Sequence, residues 1–136
     1  ENVLSFEKIS AWDAFDANMT LAQVYQKKKD YDRAEHYARN AANGPENSGS
    51  RRSAWWIVVN SCKASGQSKQ KQRSILRTIL EDPVMSGRDT VDFRLAYIYL
   101  LDPEKDKNKI KQQIGLCKKE TLSPSQKKQI QALEAK

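Results

Sequence analysis

With one histidine, two cysteines, five glycines and four prolines in 136 residues, this chain is short of the side chains that most enzyme and metal chemistry uses. Cys62 and Cys117 stand among apolar neighbours and show no metal-ligand spacing. They read as buried free thiols. A disulfide between them needs a fold that brings them together, which spacing alone leaves open. His36 falls on the polar side of its helix, with no nucleophile or orienting group beside it in the sequence, and proton-transfer chemistry requires both. Ser125 and Lys128 have a Ser-x-x-Lys spacing, but in a polar terminal helix without the motifs that accompany it in enzymes. A glycine-rich phosphate loop is missing as well. The acidic pairs Asp13/Asp16 and Glu81/Asp82 read as helix-end charges. The expectation is a chain without catalytic residues, metal or cofactor.

Long hydrophobic runs are also lacking. The longest, AWWIVV (54–59) and LAYIYLL (95–101), fall far short of the ~18 residues of a membrane span. The chain starts at Glu1, and we read it as a soluble fragment or processed product of the cytoplasm or a bacterial periplasm. Few glycines and prolines argue against long disordered stretches. Mean hydropathy is −0.81, low for a globule but natural where each helix buries one stripe and solvates the rest.

What is present is helical periodicity. Apolar residues recur at helical spacing over 3–9, 11–28, 31–43, 51–65, 68–81, 87–101, 104–119 and 124–135. Turn chemistry separates these segments: NGPENSGS (43–50), SGQS (65–68), EDPVMSG (81–87) and LDPEKD (101–106). Ser123 followed by Pro124 marks the last helix start.

A trio of residues returns along the chain. Leu21, Ala22 and Tyr25 correspond to Val58, Val59 and Cys62, then to Leu95, Ala96 and Tyr99, each time after 37 residues. A small or branched residue lets two helices approach, and the residue three positions on fills the gap.

The stretch 21–45 resembles the tetratricopeptide repeat, a helix–turn–helix unit of about 34 residues. The matching positions are Leu21, Ala22, Tyr25, Tyr31, Ala34, Tyr37 or Ala38, Ala41 and Pro45. Trp55, Val58, Val59, Cys62 and Gly66 carry a weaker second copy, in which Lys71 stands where a small residue belongs. Leu95, Ala96 and Tyr99 open a third, whose second helix with Ile110, Ile114 and Cys117 lacks the small residues. The resemblance implies an all-α, single-domain solenoid: repeats over 11–45, 51–82 and 87–119, and a capping helix over 123–136. It further implies a concave groove for a partner's peptide or helix. Its family positions are Met19, Gln23, Gln26 and Lys27 in the first repeat, Trp56, Asn60 and Lys63 in the second, and Phe93, Tyr97 and Leu100 in the third. Trp55 and Trp56 point about 100° apart on a helix, so Trp55 is expected between helices and Trp56 in the groove. Only Asn60 matches the family's carboxylate-gripping set, so an apolar ligand is expected.

The leading expectation is therefore a non-catalytic protein-interaction module: an adaptor, a secretion chaperone or an envelope assembly scaffold. The formal charge of +7, with 24 Lys+Arg against 17 Asp+Glu, offers a second reading, a surface for nucleic acid, anionic polysaccharide or lipid headgroups. The lysines of KDKNKIK (105–111) alternate around a helix and no aromatics interleave the basic runs, which disfavours nucleic acid. Attraction to acidic protein partners is the milder consequence. Self-association by stacking of repeat ends into a dimer is the third reading.

Overall fold

The computed structural model describes residues 11–44 and 47–135. The helix expected over 3–9 and the repeat-closing Pro45 lie outside the described residues. Among these, seven α-helices follow one another: α1 (Ala11–Lys27), α2 (Tyr31–Ala42), α3 (Ser48–Ala64), α4 (Lys69–Leu80), α5 (Val91–Leu100), α6 (Lys107–Lys118) and α7 (Pro124–Glu134). The chain divides into two compact units, residues 1–68 and 69–136. The division falls inside the stretch read as the second repeat.

Three boundaries differ from the sequence expectation by more than one residue, each for a local reason. Helix α3 begins at Ser48, earlier than expected, because the Asn47 side chain accepts the Ser50 amide at 2.9 Å and caps it. The segment expected as a helix from 87 starts with a 3₁₀ turn, Gly87–Thr90, where Gly87 sits at φ 58 and the Thr90 hydroxyl donates to its carbonyl. Helix α6 begins only at Lys107. The Asp102 carboxylate takes the amides of Glu104 and Lys105 instead, and this holds it below the usual carboxylate range.

In the first unit, α2 packs against both α1 and α3, and α1 also touches α3. Every buried residue of α2 is an alanine: Ala34, Ala38, Ala41 and Ala42. Opposite them, Ala22 of α1 and Ala54 and Val58 of α3 are fully buried. Tyr37 flanks the alanine seam and stacks on Tyr25 of α1, with ring centroids 5.6 Å apart. By helix geometry, Ala34 and Ala41 then lie on the α1 side of α2, and Ala38 and Ala42 on the α3 side. Small side chains let backbones close in, so the seam gains from close contact rather than from large apolar area.

Helix α1 ends in a tight turn. Asp30 N–H donates to the Tyr25 carbonyl at 2.9 Å and Lys29 N–H to Gln26 at 3.1 Å, with Lys29 at φ 62. This is a Schellman closure, with lysine where glycine is usual. Asp30 then caps α2 by accepting the Arg33 amide. Helix α3 closes the same way: Gln67 N–H donates to Cys62, Gly66 N–H to Lys63, and Gly66 has φ 75. Lys29 and Gly66 are 37 residues apart, the interval of the sequence trio. One further interval on stands Pro103, whose ring fixes φ negative. There the Asp102 turn replaces the Schellman closure.

Ser61 is the polar exception in the core of α3. It is buried, and its Oγ has no hydrogen-bond partner among the described residues. An unsatisfied buried hydroxyl costs ~1–3 kcal/mol. Ser61→Ala is therefore expected to raise stability by about 1 kcal/mol in urea unfolding. A loss of stability would show that the hydroxyl is satisfied in solution.

In the second unit, α4 and α6 pack on α5. Val91, Leu95 and Ile98 of α5 form a core with Ile114 and Cys117 of α6 and Ile130 of α7. Helix α7 carries a complete capping box of Ser123 and Gln126 with Pro124 in its first turn. It is tied to the rest by Gln126 to Asp92 at 2.9 Å and by an ion pair of Glu134 with Lys118.

Candidate functional site

The sequence nominated three groups of surface residues, and the structure keeps two of them at the surface. On α1, Gln23 and Lys27 are exposed and Met19 and Gln26 half-buried. Their spacing puts them along one flank, beside the buried face centred on Ala22. On α3, Trp56 is half-buried between exposed Asn60 and Lys63. Positions 56, 60 and 63 repeat at helical spacing and define the outward face of α3. Trp55, one residue earlier, turns inward and is only 3% exposed. Both flanks belong to the first unit, where α1 and α3 touch.

The third group is core. Phe93 has no exposed surface and Tyr97 retains 7%. Leu100 is half-buried, and its carbonyl accepts a hydrogen bond from Arg73 Nη1 at 2.9 Å. The expectation that Phe93 and Tyr97 face a groove is therefore corrected. Helix α5 is apolar almost all round and buries two opposite faces, one on Val91, Leu95 and Ile98, the other on Phe93 and Tyr97. Tyr99, expected to fill a gap between helices as Tyr25 does, is 55% exposed. The buried arcs of α5 lie to either side of it.

The remaining nominated side chains are placed as follows. Cys62 and Cys117 are buried thiols outside any disulfide. Burial pushes the Cys117 thiol up, against a smaller opposing pull from Arg94, which disfavours the reactive thiolate. His36 is exposed, with its Nε2 3.4 Å from the Asn40 amide. Ser125 and Lys128 are exposed, and Ser125 Oγ is 3.5 Å from Gln129 Nε2. No group of three His, Cys, Asp or Glu side chains is close enough to hold a metal ion among the described residues. No helix among them is long and apolar enough to cross a membrane.

Charge is unevenly shared. Residues 1–68 hold nine basic and eight acidic side chains, a net of +1. Residues 69–136 hold fifteen and nine, a net of +6.

The sequence reading missed an apolar stripe on α1. Ala14, Ala17, Leu21 and Val24 all lie on its exposed side, with Leu21 at 38% and Val24 at 41% exposure. Leu21 matches the large first position of the repeat pattern. The spacing i, i+3, i+7, i+10 was the available signal. It was obscured because Ala22 and Tyr25 supply a second face on the same helix.

No protein-family model, no curated protein and no solved structure matches this chain.

Proposed function

We propose that this chain is a non-catalytic protein-interaction module. Its binding surface is the outward face of α3, carrying Trp56, Asn60 and Lys63, together with the α1 flank of Met19, Gln23 and Lys27. The ligand is a peptide or helix with an apolar anchor residue. The observation that carries this reading is Trp56 itself. A tryptophan that keeps part of its surface exposed on a regular helix, beside an exposed amide and ammonium, combines apolar area with polar handles, and such residues dominate binding energy at interfaces. Rigid helices hold it in place without an ordering cost on binding.

A degenerate tetratricopeptide-like array is the architecture we infer. It is supported by the alanine seam of α2, by the Tyr25–Tyr37 stack, and by the matching Schellman turns 37 residues apart. A second reading has one observation in its favour. The net +6 of residues 69–136 suits a polyanion held by lysines of α6 and α7.

One experiment separates the two. Peptides selected from a displayed library on the full chain are titrated against wild type and Trp56→Ala, at low and at moderate salt. The expected result is an affinity loss of about 30-fold for Trp56→Ala, as for a hot-spot residue, with little dependence on salt. Binding that Trp56→Ala leaves intact but salt abolishes would move the function to the lysine-rich helices.

A further inference from the structure

Of the seven asparagines in the chain, Asn43 alone is followed by glycine. Glycine has no Cβ to shield its amide nitrogen. This dipeptide therefore offers the least obstructed route for a backbone amide to attack the preceding side-chain carboxamide. The fold puts the pair at the surface: Asn43 caps the C-terminus of α2, and both it and Gly44 are exposed. Two hydrogen bonds hold the site. Asn43 Nδ2 donates to the Arg39 carbonyl at 2.9 Å, and Gly44 N–H donates to the Ala41 carbonyl at 3.2 Å. With Asn43 at ψ 8, the Gly44 nitrogen is turned away from the Asn43 side chain. Ring closure needs rotation about ψ, which breaks the Gly44 bond. Both bonds belong to the last turn of a helix, where fraying is least costly.

The surroundings of Asn47 and Asn60 differ. Asn47 precedes Ser48, and its side-chain oxygen holds the Ser50 amide as the cap of α3. Asn60 lies inside α3, with helical backbone on both sides.

We propose that Asn43 is a modification site, deamidated without an enzyme when the last turn of α2 frays. The Gly44 amide nitrogen gives its proton to solvent base and adds to Asn43 Cγ. The adduct expels Nδ2, which takes a proton from water and leaves as ammonia. A cyclic succinimide then joins Asn43 to Gly44. Water opens this ring at either carbonyl. Attack at Cγ gives aspartate. Attack at the main-chain carbon gives isoaspartate, whose chain runs on through the side chain. The net change is water taken up and ammonia released, with no redox step. Either product is anionic and has lost the donor to the Arg39 carbonyl. A negative charge beside the last carbonyls of α2 opposes the helix dipole. The end of α2 therefore loosens next to Ala41 and Ala42 of the seam.

Mass-spectrometric peptide mapping of the full chain, sampled over weeks at physiological temperature and mildly alkaline pH, tests the proposal. Asn43 is expected to convert ahead of every other asparagine, into separable aspartyl and isoaspartyl peptides, and faster as pH rises. Gly44→Ala should slow the conversion several-fold. Unfolding in urea should speed it about tenfold, because neither hydrogen bond then holds the site. Asn43→Asp, which stands in for one product, should lower the melting temperature by a few degrees. The proposal is overturned if Asn43 stays intact, if Asn47 or Asn60 converts as fast, or if Gly44→Ala leaves the rate unchanged. Equal rates with and without urea would overturn the gating by α2. An Asn43→Asp chain that melts like wild type would overturn the loosening.

Discussion

Replacing Phe93 with alanine is expected to cost about 3–5 kcal/mol, the range for deleting a fully buried aromatic ring. Helix α5 contains this residue on one of two buried faces, and α4 and α6 both lean on α5. The cavity therefore opens inside a helix that the second unit is built around. For a unit of this size, such a loss lowers the melting temperature by roughly 15 °C or more. The readout is the urea midpoint together with the thermal melt. A near-wild-type melt would put Phe93 on an accessible surface and revive its assignment to a groove. The contrast with Tyr99 is informative. It is six residues further along the same helix and mostly exposed, so Tyr99→Ala should change stability little.

The second large effect falls on the alanine seam. Ala34 is fully buried on α2, between two helices that approach through small residues. Ala34→Trp has no space to occupy. The indole must push α1 away or leave its rotamer, at about 3 kcal/mol, the upper end of the usual overpacking range. The same substitution at Asn40, on the exposed side of α2, is the control and should fold normally. If Ala34→Trp melts like wild type, α2 does not meet its neighbours through this seam, and the pairing of α1 with α2 would need revision.

Much of the architecture was legible in the sequence because helices announce themselves by period and by their ends. Ser123 with Pro124, and Gly66 in its turn, each marked a boundary that the backbone adopts. Ala34 and Ala41 of α2 were legible as the small positions of the repeat-like pattern, whereas the burial of Ala38 and Ala42 was not read from it. Helix α5 was not legible. An apolar helix with residues on every side gives one pattern whether its second face is a groove or a core. Spacing placed Phe93, Tyr97 and Leu100 together correctly and could not say what covered them. The Trp55–Trp56 pair was different, because two adjacent tryptophans must diverge and one helix has a single buried arc there. The exposure of Leu21 was not legible either. Its position relative to Ala22 fits an interior repeat residue, but interior status depends on a neighbouring helix, and α1 is the first described helix.

Trp56 is proposed as a binding residue, not a packing one. The most direct test measures Trp55→Ala and Trp56→Ala side by side, each by thermal melt and by titration with a peptide selected on the wild-type chain. We expect Trp55→Ala to lose several kcal/mol of stability, as a large buried aromatic does on truncation. Trp56→Ala should melt close to wild type while binding the peptide about 30-fold more weakly. A Trp56→Ala protein that unfolds, or one that folds and binds undiminished, would contradict the central claim.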